Sequence, residues 1–149
     1  MSSQRIDIQQ IDPAAYQPMF ALEQYIHGGT LGESLLALIR LRASQINGCA
    51  YCLDMHAREG REAGVSQRLI DVLAGWRETT DLYSTREQAA LKLTESVTLI
   101  SESGVQQQVW DEVKSVFTEQ EIIELLMAIS TINVWNRLAI ATHQALPNP

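Results

Sequence analysis

Residues 45–56 read QINGCAYCLDMH and contain both cysteines of the chain, Cys49 and Cys52, and one of its three histidines, His56. On a helix these three side chains occupy positions i, i+3 and i+7, which lie on one face. The asparagine and glycine at 47–48 are a turn signal, so we expect Cys49 in or near the first turn of a new helix. A helix N-terminus stabilises a thiolate, and the pKa of a cysteine in a C-x-x-C motif falls well below about 8.5. The stretch therefore predicts a dithiol with an adjacent base.

Helical periodicity continues on both sides of this stretch, and no convincing alternating strand pattern appears. Ser84 and Thr118 each open a capping box, and Pro18 is expected to kink or divide the helix in which it lies. The predicted helices cover about 13–27, 31–46, 49–63, a short segment from 66, 84–104, 105–116 and 118–145. We therefore predict an all-α fold, in which residues 1–149 form a single-domain bundle of about six to seven helices. Residues 1–12 are predicted to form an extended N-terminal arm.

Composition excludes several classes of function. The net charge is −7, from 11 basic and 18 acidic residues, so no basic surface is expected for nucleic acid. The apolar segment 122–141 is interrupted by Glu124, Asn133 and Asn136, which predicts a buried helix and not a membrane span. The first five residues lack an apolar export segment, so we expect a cytoplasmic protein. Because the last helix is apolar nearly all round, we also expect a homo-oligomer.

A metal site is the main alternative interpretation of the cysteines. Cys49, Cys52 and His56 are suitable ligands for zinc, with His27, His143 or an acidic residue as a fourth. Structural zinc sites usually take a second ligand pair from another element, and the sequence shows no such pair. His27 and His143 lie at predicted helix ends, where the helix dipole explains them without any function. The three tryptophans, at 76, 110 and 135, are expected in the core or at an interface.

The chain resembles the alkylhydroperoxidase AhpD family, within the carboxymuconolactone decarboxylase-like superfamily. The resemblance extends over most of the sequence and rests on three motifs, Leu38 to His56, Trp76-Arg77 and Ile132 to Arg137. It implies an all-α fold, assembly into trimers or hexamers, and peroxidase activity. In that activity the cysteines reduce a hydroperoxide and close to a Cys49–Cys52 disulfide, which an external dithiol or disulfide reductase reopens. The resemblance implies no metal and no other cofactor.

The sequence departs from the family pattern at one position. Peroxidases of the family typically carry a glutamate twelve positions before the first cysteine, where this chain has Ala37. Glu33, one helical turn earlier, and Glu87, after the Trp76 motif, are candidate substitutes. Each also has a structural explanation, Glu33 as a first-turn acid and Glu87 as a member of a capping box. Tyr51 lies between the cysteines and is expected either to donate a proton or to pack.

The candidate catalytic residues are thus Cys49, Cys52 and His56, with Tyr51, Glu33 and Glu87 in support. The position of the helix start favours Cys49 as the attacking thiolate, whereas the family pattern favours Cys52, and we follow the family. His56 is expected to act as a base or proton shuttle. Because of Ala37, a dithiol-disulfide oxidoreductase with little peroxidase activity is the alternative function. A lactone decarboxylase and a metal-binding or assembly module are less favoured.

Overall fold

A computed structural model describes residues 3–149, and within that range the chain forms nine α-helices and two 3-10 segments, with no strand. The predicted all-α class is confirmed. The α-helices are α1 (Ile8–Ile11), α2 (Gln17–His27), α3 (Glu33–Asn47), α4 (Ala50–Glu62), α5 (Gln67–Asp71), α6 (Thr85–Thr98), α7 (Ile100–Ser103), α8 (Gln107–Val116) and α9 (Glu119–Thr142). The 3-10 segments are Pro13–Tyr16 and Leu73–Glu78. Both predicted capping boxes form, at Ser84 and at Thr118.

The N-terminal segment differs from the extended arm that the sequence predicted. The side chain of Asp7 accepts a hydrogen bond from the backbone N–H of Gln10 at 3.1 Å, and this cap closes the single turn of α1. Earlier in the segment, the backbone N–H of Arg5 donates to the carbonyl of Thr142 at 2.8 Å. The segment is therefore fastened along the end of α9. Residues 1 and 2 of the predicted arm lie outside the described part of the chain.

Helix α3 is the central element of the bundle. It packs against α4, α6 and α9, and every residue from 35 to 44 except Arg42 is buried. The sequence predicted that only one face of α3 is buried, because helical periodicity indicates a single apolar face. Three neighbouring helices instead cover it on most sides, so the turn that follows α3 starts from a fixed position.

Helix α9 is a core helix of this fold, although it is long and apolar enough to cross a membrane by length and composition alone. Half of its most apolar window is buried within the fold. Its buried carboxylate, Glu124, accepts hydrogen bonds from the backbone N–H of Thr30 at 3.1 Å and from the Thr30 hydroxyl at 2.9 Å. A Cβ at Gly29 would lie 2.7 Å from the Glu124 carboxylate, so a larger residue there would displace the Glu124 side chain. The polar interruption of α9 thus ties the α2–α3 turn to the core.

Glu95 on α6 connects three elements of the fold. Its carboxylate accepts a hydrogen bond from the Trp76 indole at 2.7 Å and forms ion pairs with Arg42 at 3.2 Å and Arg77 at 2.9 Å. Burial alone would raise the pKa of Glu95, but the hydrogen bonds from Trp76 and Arg77 and the charges of Arg77 and Arg42 outweigh it and lower that pKa. Trp76 is itself buried, as the sequence predicted. The carboxylate is therefore ionised and fastens the 3-10 segment Leu73–Glu78 to α3 and α6.

We expect Glu95→Gln to lower the free energy of unfolding at neutral pH by about 1–3 kcal/mol, because it removes the charge that pairs with Arg42 and Arg77 and weakens the acceptor of the Trp76 indole. A folded-state pKa below the ordinary 4.5 stabilises the protein above that pH. The difference in the free energy of unfolding between wild type and Glu95→Gln should therefore be largest above pH 4.5, and it should shrink as the pH falls through the lowered pKa of Glu95. Urea unfolding across this pH range measures it, with the exposed Glu102→Gln as control. A pH-independent difference would contradict the expectation.

Candidate active site

The turn between α3 and α4 delivers the first cysteine to a helix N-terminus. Gly48 adopts a left-handed conformation, with φ 72° and ψ 35°, as expected for a glycine that ends a helix. The backbone N–H of Cys49 then donates to the carbonyl of Ser44 at 3.0 Å. Cys49 is the N-cap of α4, and its sulfur accepts a hydrogen bond from the backbone N–H of Cys52 at 3.3 Å. The prediction that Cys49 lies at the start of a helix is confirmed.

Cys49 and Cys52 form a disulfide in this structure, with their Cα atoms 5.3 Å apart. Both residues are buried, each 1% exposed, and they form a small cluster with Ala139 of α9. Tyr51 packs against this cluster and is itself only partly buried. The two sulfurs are therefore bonded to each other in a buried position, and Tyr51 packs against their cluster.

His56 lies one helical turn after Cys52 and is 5% exposed. Its Nδ1 is 2.9 Å from a carboxylate oxygen of Glu59. Its Nε2 is buried and has no hydrogen-bond partner among residues 3–149. A buried polar atom without a partner costs about 1–3 kcal/mol, so such an atom calls for an explanation. The arrangement leaves one imidazole nitrogen held by a carboxylate and the other without a protein partner within the described residues.

Asparagines anchor this region to α9. Asn136 is fully buried, and its amide donates to the Ser44 hydroxyl at 3.0 Å. The Asn47 amide donates to the side-chain oxygens of Asn133 and Asn136, both at 2.9 Å. These contacts join two of the motifs on which the sequence resemblance rests. They fix the last turn of α3, and hence the position from which Cys49 enters α4.

A cavity of about 610 Å³ opens beside His56. Aromatic rings line one side of it: Tyr16 and Phe20 lie within 6.4 Å of the Trp135 ring, centroid to centroid, and Tyr51 faces the same space. Residues of the N-terminal segment, from Gln4 to Gln9, line the cavity as well. The volume lies within the range of small-molecule sites, about 300–1,000 Å³. Neither cysteine lines the cavity, but their helical neighbours Tyr51 and His56 do.

Charged residues also line the cavity. The buried guanidinium of Arg40 pairs with Glu23 at 3.0 Å, and the Trp135 indole donates to the other oxygen of Glu23 at 3.0 Å. His27 lies within 3.2 Å of Glu23, and it contacts Glu33 at 2.7 Å through its other nitrogen. The sequence explained His27 by a helix end alone, and that explanation is incomplete because the side chain joins two acids at the cavity. Trp135 likewise lines the cavity and is not simply a core residue.

The three supporting residues predicted from the sequence, Tyr51, Glu33 and Glu87, lie in three different environments. Tyr51 lines the cavity. Glu33 is half exposed and bonds His27, so it is engaged away from His56. Glu87 accepts a hydrogen bond from the backbone N–H of Ser84 at 2.8 Å, which is the capping-box explanation and not a catalytic position.

Glu59 is a site residue that the sequence analysis missed, although a signal was present. It follows His56 by three positions, a spacing at which helical side chains meet. The hydrogen bond from His56 lowers the pKa of Glu59, partly opposed by burial and assisted by the charges of His56, Arg40 and His27. Ala37, where the family has its glutamate, borders a second cavity of about 360 Å³ that Glu59 also lines. A carboxylate thus reaches His56 from α4 while α3 supplies none.

The metal alternative finds little support in this arrangement. Within residues 3–149, no three His, Cys, Asp or Glu side chains are grouped so as to hold a metal ion. Cys49 and Cys52 are bonded to each other here, and His143 lies at the far end of α9, 3.0 Å from the Ser3 hydroxyl. The residues proposed as zinc ligands are therefore not assembled into a site.

The all-α bundle and the CxxC pair, with a histidine one turn later, define an AhpD-like protein. The model of the carboxymuconolactone decarboxylase family matches residues 13–96, more than half of the chain. The chain therefore belongs to the carboxymuconolactone decarboxylase family. The resemblance inferred from the motifs is confirmed.

Relatives and solved structures agree with this placement. The chain is 37% identical over 139 residues to the uncharacterized protein YdfG of Bacillus subtilis (strain 168), covering 93% of this chain and 94% of that one. A crystal structure from Agrobacterium tumefaciens, of a protein of unknown function provisionally assigned to AhpD antioxidant defence, is 36% identical with a TM-score of 0.94. It covers 99% of this chain and all of that one. The debrominase Bmp8 is 20% identical with a TM-score of 0.82, covers 93% of this chain and 74% of its own, and shares the fold alone.

We expect Asn136→Ala to lower the free energy of unfolding by about 1–3 kcal/mol, because Asn47 and Ser44 each lose a buried partner. The loosened turn should also let reductant reach the disulfide more readily. Chemical unfolding and the rate of reduction by dithiothreitol test both effects, with Asn148→Ala in the exposed C-terminal segment as control. Wild-type stability in Asn136→Ala would show that the network does not hold the turn.

Proposed function

We propose that the protein is a thiol-dependent peroxidase that reduces hydroperoxides through a cycle of the Cys49–Cys52 dithiol and disulfide. The observation that carries the proposal is the bonded pair of sulfurs at the N-terminus of α4, with His56 one turn later beside a cavity. The proposal places the activity in the cytoplasm, with a hydroperoxide as substrate and an external dithiol or disulfide reductase as partner. It requires no metal or other cofactor.

Cys52 is proposed as the attacking residue. It precedes His56 by four positions, the spacing at which two helical side chains are neighbours, so the imidazole can take the thiol proton. The Cys52 thiolate then attacks the terminal oxygen of the hydroperoxide and the O–O bond breaks. The departing alkoxide takes up a proton and leaves as the alcohol, while Cys52 becomes a sulfenic acid.

Cys49 closes the cycle. Its thiol attacks the Cys52 sulfenic acid, so that water leaves and the disulfide forms. The disulfide accepts two electrons and two protons from an external dithiol, which is itself oxidised to a disulfide. The 5.3 Å separation of the two Cα atoms allows this step without movement of the backbone.

The cavity supports an organic hydroperoxide as the substrate. Its volume exceeds what hydrogen peroxide needs, and its aromatic side suits an apolar substituent. Its polar side holds Arg40 already neutralised by Glu23, so no free positive charge is offered to an anionic group. We therefore propose an uncharged alkyl or aryl hydroperoxide.

A dithiol-disulfide oxidoreductase that acts on other proteins is the second candidate, because Ala37 removes the family's usual carboxylate. The cavity beside His56, whose volume suits a small molecule, favours the peroxidase instead. Assembly into a trimer or hexamer also belongs to the proposal. It is supported by Ile123, Val134 and Ile140, which α9 leaves exposed.

The cysteine assignment predicts the pattern of sulfenic-acid labelling. After one equivalent of cumene hydroperoxide, Cys49→Ser should be labelled by dimedone, because Cys52 is oxidised and no second thiol resolves it. Cys52→Ser should remain unlabelled, and the wild type should lose two titratable thiols per chain. The double variant is the control. Labelling of Cys52→Ser alone would reverse the assignment, and two persistent thiols in the wild type would contradict the peroxidase proposal.

The substrate proposal predicts an effect of the cavity wall that depends on the peroxide. Phe20→Ala should raise KM for cumene hydroperoxide about 3- to 10-fold, since an aromatic contact contributes about 0.5–1.5 kcal/mol. The kcat/KM for hydrogen peroxide should be unchanged. Tyr25→Ala, which removes another exposed ring of α2 outside the cavity, serves as the control. Equal losses with both peroxides would exclude this wall as a binding surface.

A further inference from the structure

We propose that Glu59 supplies the carboxylate that Ala37 lacks, by holding His56 in the tautomer whose Nε2 accepts the thiol proton. This inference rests on the proposed peroxidase function and makes Glu59 a positioning residue. It assigns a role to a side chain on α4 itself, in place of one on the neighbouring helix α3.

The hydrogen bond between His56 and Glu59 is the first support. The contact joins Nδ1 to a carboxylate oxygen at 2.9 Å, and an ionised carboxylate only accepts hydrogen bonds. Nδ1 must therefore carry a hydrogen, and in the neutral ring Nε2 then has a free lone pair. That Nε2 is the buried atom with no partner within residues 3–149. The unpaired Nε2 is thus the atom that the proposed reaction requires to accept the proton of the Cys52 thiol.

The charge of Glu59 is the second support. The hydrogen bond from His56 lowers the pKa of Glu59, so the carboxylate is ionised at neutral pH. When His56 takes up a proton, the adjacent negative charge stabilises the imidazolium, as an aspartate does beside a catalytic histidine. The charged groups nearby are Arg40 of α3, which itself pairs with Glu23, and His27 of α2.

The space around Ala37 is the third support. Ala37 and Glu59 border the same cavity of about 360 Å³, together with Glu33 and Glu62. Glu33 is occupied by His27, whereas Glu59 reaches His56. The Glu59 side chain is 48% exposed, so it also connects a nearly buried imidazole with solvent protons. A carboxylate at position 37 would enter this same region from the other helix.

The test compares Glu59→Gln with Glu62→Gln, which removes a carboxylate one turn later on α4 at the edge of the same cavity. Steady-state turnover of cumene hydroperoxide gives kcat and KM, and 15N NMR of the histidine ring gives the tautomer of His56. We expect Glu59→Gln to lower kcat about 10- to 100-fold with little change in KM. The His56 spectrum should show a smaller fraction of the Nδ1–H form, because an amide can donate to Nδ1 as well as accept from it, whereas Glu62→Gln should match wild type in both measurements.

Two further variants separate positioning from a merely structural effect. Glu59→Asp should recover part of kcat, and Ala37→Glu in the Glu59→Gln background should restore both kcat and the tautomer, because the carboxylate returns from α3. The proposal is overturned if His56 keeps its wild-type spectrum in Glu59→Gln, or if Glu59→Gln turns over as fast as Glu62→Gln. A wild-type protein without peroxide turnover would contradict the proposed function instead, and the NMR comparison then decides the role of Glu59 by itself.

Discussion

The buried amide of Asn136 is the contact on which the site depends. It joins α9 to the end of α3, where a glycine turns the chain and the next residue caps α4. Cys49 caps α4 through its sulfur, while its backbone N–H donates to the carbonyl of Ser44 in the last turn of α3. Cys49 can therefore occupy the cap position only if that turn is held in place. The disulfide and His56 then follow from the geometry of one helix. A polar contact in the core thus sets the position of the reactive groups.

The cavity beside this helix is lined by two kinds of residue. Aromatic rings from α2, α4 and α9 lie beside the Arg40–Glu23 pair, which the Trp135 indole contacts through Glu23. The net charge of −7 says little about the site, because it does not reveal that Arg40 pairs with Glu23 or that His56 bonds Glu59. The N-terminal segment, which is hydrogen-bonded to the end of α9, also lines the cavity. Residues far apart in the chain therefore determine what the cavity accepts.

The family placement and the chemistry of this chain are separate questions. The debrominase Bmp8 has the same helical fold, so the fold alone does not determine which reaction a protein catalyses. The local arrangement of a proton acceptor is more informative. The hydrogen bond that orients a histidine depends on the distance and angle to the carboxylate. It does not depend on which helix carries that carboxylate. In this chain the carboxylate comes from three residues further along the same helix, and the position used by the family holds alanine.

The sequence alone was sufficient for the main helices and for the reactive face of α4, but not for the short turn α1 within the predicted extended arm. Capping boxes, the turn at Gly48 and the i, i+3, i+7 spacing of Cys49, Cys52 and His56 depend on residues within one or two turns of each other. Such local interactions are readable in a linear pattern. The same local rule indicates Glu59, which lies three positions after His56.

Only the tertiary structure decided the surroundings of that face. Helical periodicity gave α3 one buried stripe, whereas α4, α6 and α9 cover nearly all of it. The pairing of Arg40 with Glu23, the place of Trp135 on the cavity wall and the burial of the sulfurs each join segments separated by many residues. Their positions depend on how whole helices pack, which is a balance of shape and burial over the entire chain and has no counterpart in residue spacing.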